Sequence, residues 1–366
     1  MNKRLVSLDA FRGITIAGMI LVNNPGNWSS VYPPLLHAEW HGWTPTDLIF
    51  PFFLFIVGVA ITLSFQKQLS SHDKKYVYLK ILRRTLILFG LGLFLAGFPY
   101  FNLDKIRIPG VLQRIALVYF FTSIITLNTG IKAQAWISTG LLILYWGLMK
   151  LIPVPGYGAG DLSIEGNFAA FIDNSLLHGH MWRETWDPEG LLSTIPAVAT
   201  ALSGVLTGHL LNSGKDRMEI AGWMFVIGWM AIVVGLFWGI LFPINKGLWT
   251  SSYVVFTSGA ALQFLGFCYW LIDVKGWQKW SVPAVMYGMN AIIVFVLSGL
   301  LAKLMFLIKV DAADGSRISL KTWIYQNAFE SWLSPINASL AFAVVNILFW
   351  LGVMAILYKK RIFIKI

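Results

Sequence analysis

Between His37 and Gly58 the chain reads HAEWHGWTPTDLIFPFFLFIVG, so His37, Glu39, His41 and Asp47 stand against a run apolar enough for lipid. A neutral imidazole can take a proton or attack a carbonyl when a carboxylate fixes its other ring nitrogen. Asn23 ends the preceding apolar run and Asp47 opens the next, and the linking loop would return His37 close to both. His37 and His41 lie four apart and would share a face if this piece is helical. That spacing can bind zinc, but H-x-E-x-H is not the H-E-x-x-H pattern and no third ligand is evident, so no metal is expected. Against chemistry stands the plainer reading of an interfacial histidine that only makes structural hydrogen bonds.

Three further stretches put polar groups where lipid is expected, and such groups usually face a cavity or a partner. In SLDAFRG, Asp9 and Arg12 are three apart and can pair on one helix face. They serve either as an interfacial anchor or as an anion site with Arg12 reaching a phosphate. In GVLQRIALVYFF, Gln113 and Arg114 open a span. The guanidinium there either snorkels or is ion-paired, with Asp47 as the first partner to test. In WDPEGLLSTIPAVATALSGVLTG, Asp187 to Gly190 read as a turn and helix start, where acids cap, and Glu189 could hold a polar acceptor.

The elements that position these residues are membrane helices. The chain has 366 residues, 57% hydrophobic and 12% charged, about half the charged share of a soluble domain. Apolar runs give about ten spans, at 6–23, 47–66, 81–99, 109–127, 134–152, 191–211, 220–241, 251–272, 283–306 and 338–358. The fold expected is an all-α polytopic bundle, one domain over residues 1–366, with the 153–190 loop folded as an outer cap. The 17 Trp and 12 Tyr suit aromatic belts at the two interfaces.

Charge placement sets the orientation. The net charge of +11 sits in short loops, so it reads as topology and excludes a nucleic-acid binder. Lys3, Arg4, Lys67, Lys74, Lys75, Lys80, Arg83, Arg84, Lys132, Lys215, Arg217, Lys275, Lys279, Lys359, Lys360, Arg361 and Lys365 fall on one side, about twofold richer in Lys and Arg than the other. Both termini are therefore expected in the cytoplasm, with the His37 segment and 153–190 outside. Cys268 is the one cysteine, which leaves no intramolecular disulfide or thiolate metal site. Asp9 and Arg12 interrupt the N-terminal apolar run and no A-x-A-like site follows, so it reads as a retained first helix rather than a signal peptide.

RLVSLDAFRG, the His37 segment, PGVLQRIALVYF, DPEGLLSTIPA, NKGLWTSSYV, YGMNAIIVF and the tail LYKKRIFIKI follow one another in order. With these motifs the chain resembles, from end to end, the heparan-α-glucosaminide N-acetyltransferase family of transmembrane acetyltransferases. The resemblance implies transfer of acetyl from cytoplasmic acetyl-CoA, the co-substrate, to the amine of a glucosamine-like sugar across a bacterial inner membrane. The family's active-site histidine falls on His37 and its asparagine on Asn23, with Asp47 beside them. His41 stands where many relatives carry Asn. Arg12, Asp9 and Arg114 are the candidates for holding the donor; Glu189, Asn290 and Lys246 are those for the acceptor. The expected partners are acetyl-CoA, the amino sugar, the bilayer and a second copy in a homodimer. An amino-sugar or glycan transporter using the same polar cluster for coupling is the competing reading, and the lack of an internal repeat counts against it.

Overall fold

The structure is a computed structural model that describes residues 5–69, 73–312 and 315–364. Lys3, Arg4 and Lys365, counted above in the charge bias, lie outside the described residues. The chain divides into two compact units, residues 1–38, 44–50 and 268–365 in the first and 39–43 and 51–267 in the second.

The first unit is built on α1 (Val6–Asn23), α10 (Val282–Met289), α11 (Ala291–Leu307), α12 (Leu320–Tyr325) and α13 (Pro335–Lys359). Leu5 offers α1 no side-chain cap, and the Asp273 carboxylate accepts the Ser7 amide at 3.1 Å instead, placing negative charge at a helix N-terminus. The backbones of α1 and α10 touch. A Cβ on Gly13 would stand 1.7 Å from the Ala284 carbonyl, and one on Gly288 2.0 Å from that of Asp9. In lipid, where apolar surface gives little drive to association, such small-residue contacts let backbones pack closely.

The second unit holds α2 (Ile49–Leu69, from residue 51 on), α3 (Lys74–Gly97), α4 (Val111–Asn128), α5 (Ile131–Leu151), α7 (Thr194–Leu211), α8 (Arg217–Leu241) and α9 (Ser251–Tyr269, up to residue 267). Its α2 and α7 repeat the device: Gly58 faces the Ala201 carbonyl and Gly204 that of Phe55, each too close for a Cβ. Ile61, Phe65, Val77, Ile81, Tyr119, Leu127 and Val205 form one core cluster. The 153–190 segment is folded, with a short antiparallel pair of Pro153–Val154 and Gly158–Ala159 followed by α6 (Phe168–Leu177).

A helix stands at each of the ten expected spans, in an all-α membrane bundle. Among the described residues seven helices are long and apolar enough to cross a membrane. An eighth span is added when α10 and α11 are counted together; α3 and α5 are not among them, and α3 carries Lys80, Arg83 and Arg84 in its first half. Trp229, Met230, Phe237 and Ile240 on α8 are exposed large hydrophobics, as expected of a lipid-facing wall. The run expected as one span at 283–306 is broken, with a 70° bend between α10 and α11 at Asn290.

Candidate active site

Residues 36–44 are not helical, so the expected shared face for His37 and His41 does not exist. Pro33 and Pro34 open a tight turn before this stretch, Gly42 turns the chain with φ +100, and Pro45 opens the next turn. This irregular course brings His37 back onto Asp47. His37 Nδ1 lies 2.6 Å from Asp47 Oδ1. The other carboxylate oxygen accepts the amides of Ala38 and Thr44, both at 3.0 Å, and the Thr44 hydroxyl at 3.2 Å. Thr44 and Asp47 form a capping box on the 3-10 turn Pro45–Leu48, so the carboxylate is fixed by the turn that carries it. The Thr44 hydroxyl also donates to the Leu36 carbonyl at 2.6 Å, tying the residue before His37 to the same turn.

The Asp47 side chain is 1% exposed and that of His37 is 50% exposed. A carboxylate only accepts, so Nδ1 carries the proton of the neutral ring and Nε2 keeps its lone pair.

The loop from α1 to His37 is held by α13. Gly26 donates to the Ser339 carbonyl at 3.2 Å, Asn27 donates to Ser339 Oγ at 3.1 Å, and Tyr32 donates to Asn337 Oδ1 at 2.6 Å. At the end of α1 two neighbouring asparagines divide their work. Asn24 is buried and its Nδ2 donates to the Ile20 carbonyl at 2.9 Å. Asn23 is exposed, has no hydrogen-bond partner for its amide among the described residues, and lines a recess of about 120 Å³ against α11. His37 is not among the residues lining that recess.

Arg12 is paired as the spacing suggests, its Nη1 donating to Asp9 Oδ1 at 3.2 Å and to the Gly288 carbonyl at 3.3 Å. Asn290 has a role that sequence reasoning missed. Its Nδ2 donates to the Ile362 carbonyl at 3.1 Å and its Oδ1 accepts the Ile364 amide at 3.0 Å. The side chain placed above with the acceptor site thus joins the helix break to the C-terminal tail, whose motif LYKKRIFIKI carried no hint of the contact.

In the second unit the DPEG turn is an ion-pair node around Arg107. Arg107 Nε donates to Asp187 Oδ2 at 2.8 Å and Nη2 to Oδ1 at 2.6 Å, the parallel geometry that makes Arg–carboxylate pairs strong. Nη2 also reaches Glu189 Oε2 at 2.5 Å. Glu189 is thus ion-paired through Oε2. Asp187 further accepts the amides of Trp182 and Glu189 and so braces the turn; the helix capping expected of it is not seen, because α7 begins at Thr194 with Ser193 at its N-cap. A Cβ on Gly190 would collide with the Asp173 carboxylate, and that closeness lets Asp173 accept the Leu191 amide at 2.8 Å. Burial pushes the Asp173 carboxyl up to about 6, against the pull of the Leu191 and Leu192 amides and of Arg114.

Arg114, for which Asp47 is the partner suggested by the sequence, satisfies its Nη2 within its own unit. It donates to the Gly190 carbonyl at 2.9 Å and to the Ser193 hydroxyl. The guanidinium is 1% exposed and its Cζ stands 5.1 Å from the Trp249 ring centre. Trp249 itself has φ +53, an uncommon conformation for a bulky residue. The same turn carries Lys246, whose side chain is half-buried. Asn245 Oδ1 accepts the Leu248 amide at 2.8 Å, which orients its Nδ2 toward His41 Nδ1 at 3.2 Å. His41 thus spends Nδ1 on a structural amide, and burial lowers its pKa.

The family described as "Heparan-alpha-glucosaminide N-acetyltransferase, catalytic" matches residues 4–235. The chain is similar to heparan-alpha-glucosaminide N-acetyltransferase from Mus musculus, 31% identical over 99% of this chain and 60% of the relative. It is also similar to the protein of that name from Homo sapiens, 30% identical with the same coverage. The chain therefore spans about 60% of the length of the curated relatives it matches.

Proposed function

The chain belongs to the heparan-alpha-glucosaminide N-acetyltransferase catalytic family, and on that premise we propose that it is an integral membrane N-acetyltransferase acting on a glucosamine-like amine with acetyl-CoA as donor. The observation that carries the reading is the bond from His37 Nδ1 to the buried Asp47 carboxylate, which leaves Nε2 as a base on a half-exposed ring. In the reaction the amine nitrogen bonds to the thioester carbonyl carbon and its proton passes to Nε2. The carbon–sulfur bond then breaks, and CoA leaves as a thiolate that can take the proton back from the imidazolium. Asp47 stabilises the imidazolium formed in between. In the two-step variant Nε2 attacks the carbonyl first, and the carbon–sulfur bond breaks with CoA leaving as a thiolate. The amine then takes the acetyl group from Nε2, which leaves as neutral imidazole, and the amine's proton passes to the thiolate or solvent. The free Asn23 amide serves the oxyanion of either tetrahedral intermediate, a contribution of about 3–4 kcal/mol when a donor is preorganised.

The donor arrives from the cytoplasmic side and the acceptor waits on the other side of a bacterial inner membrane. What supports this is the twofold excess of Lys and Arg on the side of the termini. Arg12, near that end of α1, is the cation we assign to the CoA phosphates.

The test is purified protein in detergent with labelled acetyl-CoA and a panel of amino sugars. Acetylated sugar with matching CoA release is the expected result. Uptake of an amino sugar into proteoliposomes with no acetyl-CoA consumed would replace the reading with transport.

A further inference from the structure

The recess beside Asn23 is built by two helix faces of the same unit. From α1 it takes Ile16, Met19, Ile20 and Asn23, and from α11 Phe295, Ser298, Gly299 and Ala302, with Asn24 at its end. Both sets have the spacing i, i+3, i+4, i+7, so each is a single stripe running along its helix. Seven residues at 1.5 Å each make the stripe about 10 Å long. Ile16, Met19, Ile20 and Ser298 are buried, while the residue with the free amide, Asn23, is exposed.

Size and chemistry together select an occupant. An apolar cavity of about 150 Å³ takes a benzene ring of six carbons. A recess of about 120 Å³ therefore takes four or five non-hydrogen atoms, which is the size of an acetyl thioester. The walls are apolar, as a methyl and a sulfur require. Ser298 spends its hydroxyl hydrogen on the Phe295 carbonyl and the buried Asn24 amide is turned to the Ile20 carbonyl, whereas the Asn23 amide has no partner among the described residues and can meet a carbonyl oxygen. Gly299 and Ala302 leave the α11 wall low, and a larger side chain there would occupy the space.

Resting on the acetyltransferase reading, we propose that the slot between α1 and α11 receives the acyl-thioester end of the donor, with Met19 and Ala302 as determinants of acyl length. Ala302→Leu shortens the slot and Met19→Ala lengthens it. One added or missing methylene in an apolar pocket is worth about 10–200-fold in discrimination.

The experiment measures kcat/KM for acetyl-, propionyl- and butyryl-CoA, alongside thiol labelling of Ser298→Cys in a Cys268→Ser background. Ala302→Leu should lower kcat/KM for acetyl-CoA at least about tenfold with the acceptor KM unchanged. Met19→Ala should raise butyryl-CoA relative to acetyl-CoA by a similar factor. Acetyl-CoA should slow modification of the cysteine at 298 by a small methanethiosulfonate. Unchanged acyl preference in both variants overturns the proposal, as does labelling indifferent to acetyl-CoA or slowed only by added phospholipid. The labelling needs no turnover. If the protein acetylates no amino sugar, the catalytic reading fails while protection at 298 still upholds the slot and its absence still rejects it.

Discussion

His37 Nδ1 and Asp47 Oδ1 stand 2.6 Å apart, and that carboxylate also holds the amides of Ala38 and Thr44. Asp47→Asn can keep the shape while presenting an amide N–H to Nδ1, which would put the ring proton on Nε2. The same exchange at an orienting aspartate costs a serine-protease triad about 10⁴ in kcat. We expect His37→Ala to abolish acetyl transfer and Asp47→Asn to lower kcat by about 10²–10⁴. Both proteins should elute from size exclusion as the parent does. Parental kcat in either variant removes the dyad from the mechanism.

The two asparagines at the end of α1 should separate chemistry from structure. Asn23→Ala should reduce kcat by about 10²–10³ with no change in thermal midpoint. Asn24→Ala loses the bond to the Ile20 carbonyl, and about 1 kcal/mol of stability with it, so it should lower the thermal midpoint where Asn23→Ala does not. A loss confined to the acceptor KM in Asn23→Ala would make it a sugar contact instead.

Arg107 and Asp187 should be strongly coupled. The Asp187 side chain is 0% exposed and that of Arg107 25%, so removing the carboxylate takes both bidentate bonds from a largely desolvated cation and leaves it Glu189 alone. Breaking one side of a buried pair costs about 3–5 kcal/mol. Asp187→Ala should approach that range, and Arg107→Ala with Asp187→Ala should cost less than the two singly. A double-mutant cycle by thermal unfolding in detergent measures the difference, and strict additivity contradicts the bidentate geometry.

Asp173 supplies a pH dependence with a definite sign. Its folded pKa, about 6, is above the usual carboxylate value because burial penalises the charge. The folded state therefore binds the proton more tightly than the unfolded chain does. This group's contribution should favour folding as pH falls from 7 through 6 toward 4, and the gain should be absent in Asp173→Asn. Thermal midpoints of the two proteins from pH 7.5 to 5 give the comparison; parallel curves would show that Asp173 does not titrate in this window.

Orientation is tested by single cysteines in the Cys268→Ser background. Lys215→Cys, after α7, should react with an impermeant reagent only in inside-out vesicles, and Ser163→Cys only in right-side-out ones. The reverse pattern would invert the proposed topology and, with it, the sidedness of donor and acceptor.

The sequence by itself determined the membrane class and the position of every long helix, because a helix in lipid must be long, apolar and internally hydrogen-bonded. It also anticipated the His37–Asp47 and Asp9–Arg12 contacts, whose partners are close along the chain. What it could not decide is which polar groups remain available, since that depends on partners distant in sequence. Asn23 and Asn24 are the same residue type side by side, and tertiary packing buries the second on a carbonyl while leaving the first at a recess. Glu189 is taken by Arg107, 82 residues earlier, and Asn290 by the tail 72 residues later. Arg114 gives its Nη2 to the Gly190 carbonyl and the Ser193 hydroxyl, more than 70 residues away in the chain. A buried polar group must take whatever partner the folded chain brings within hydrogen-bond reach, and hydropathy carries no record of that choice.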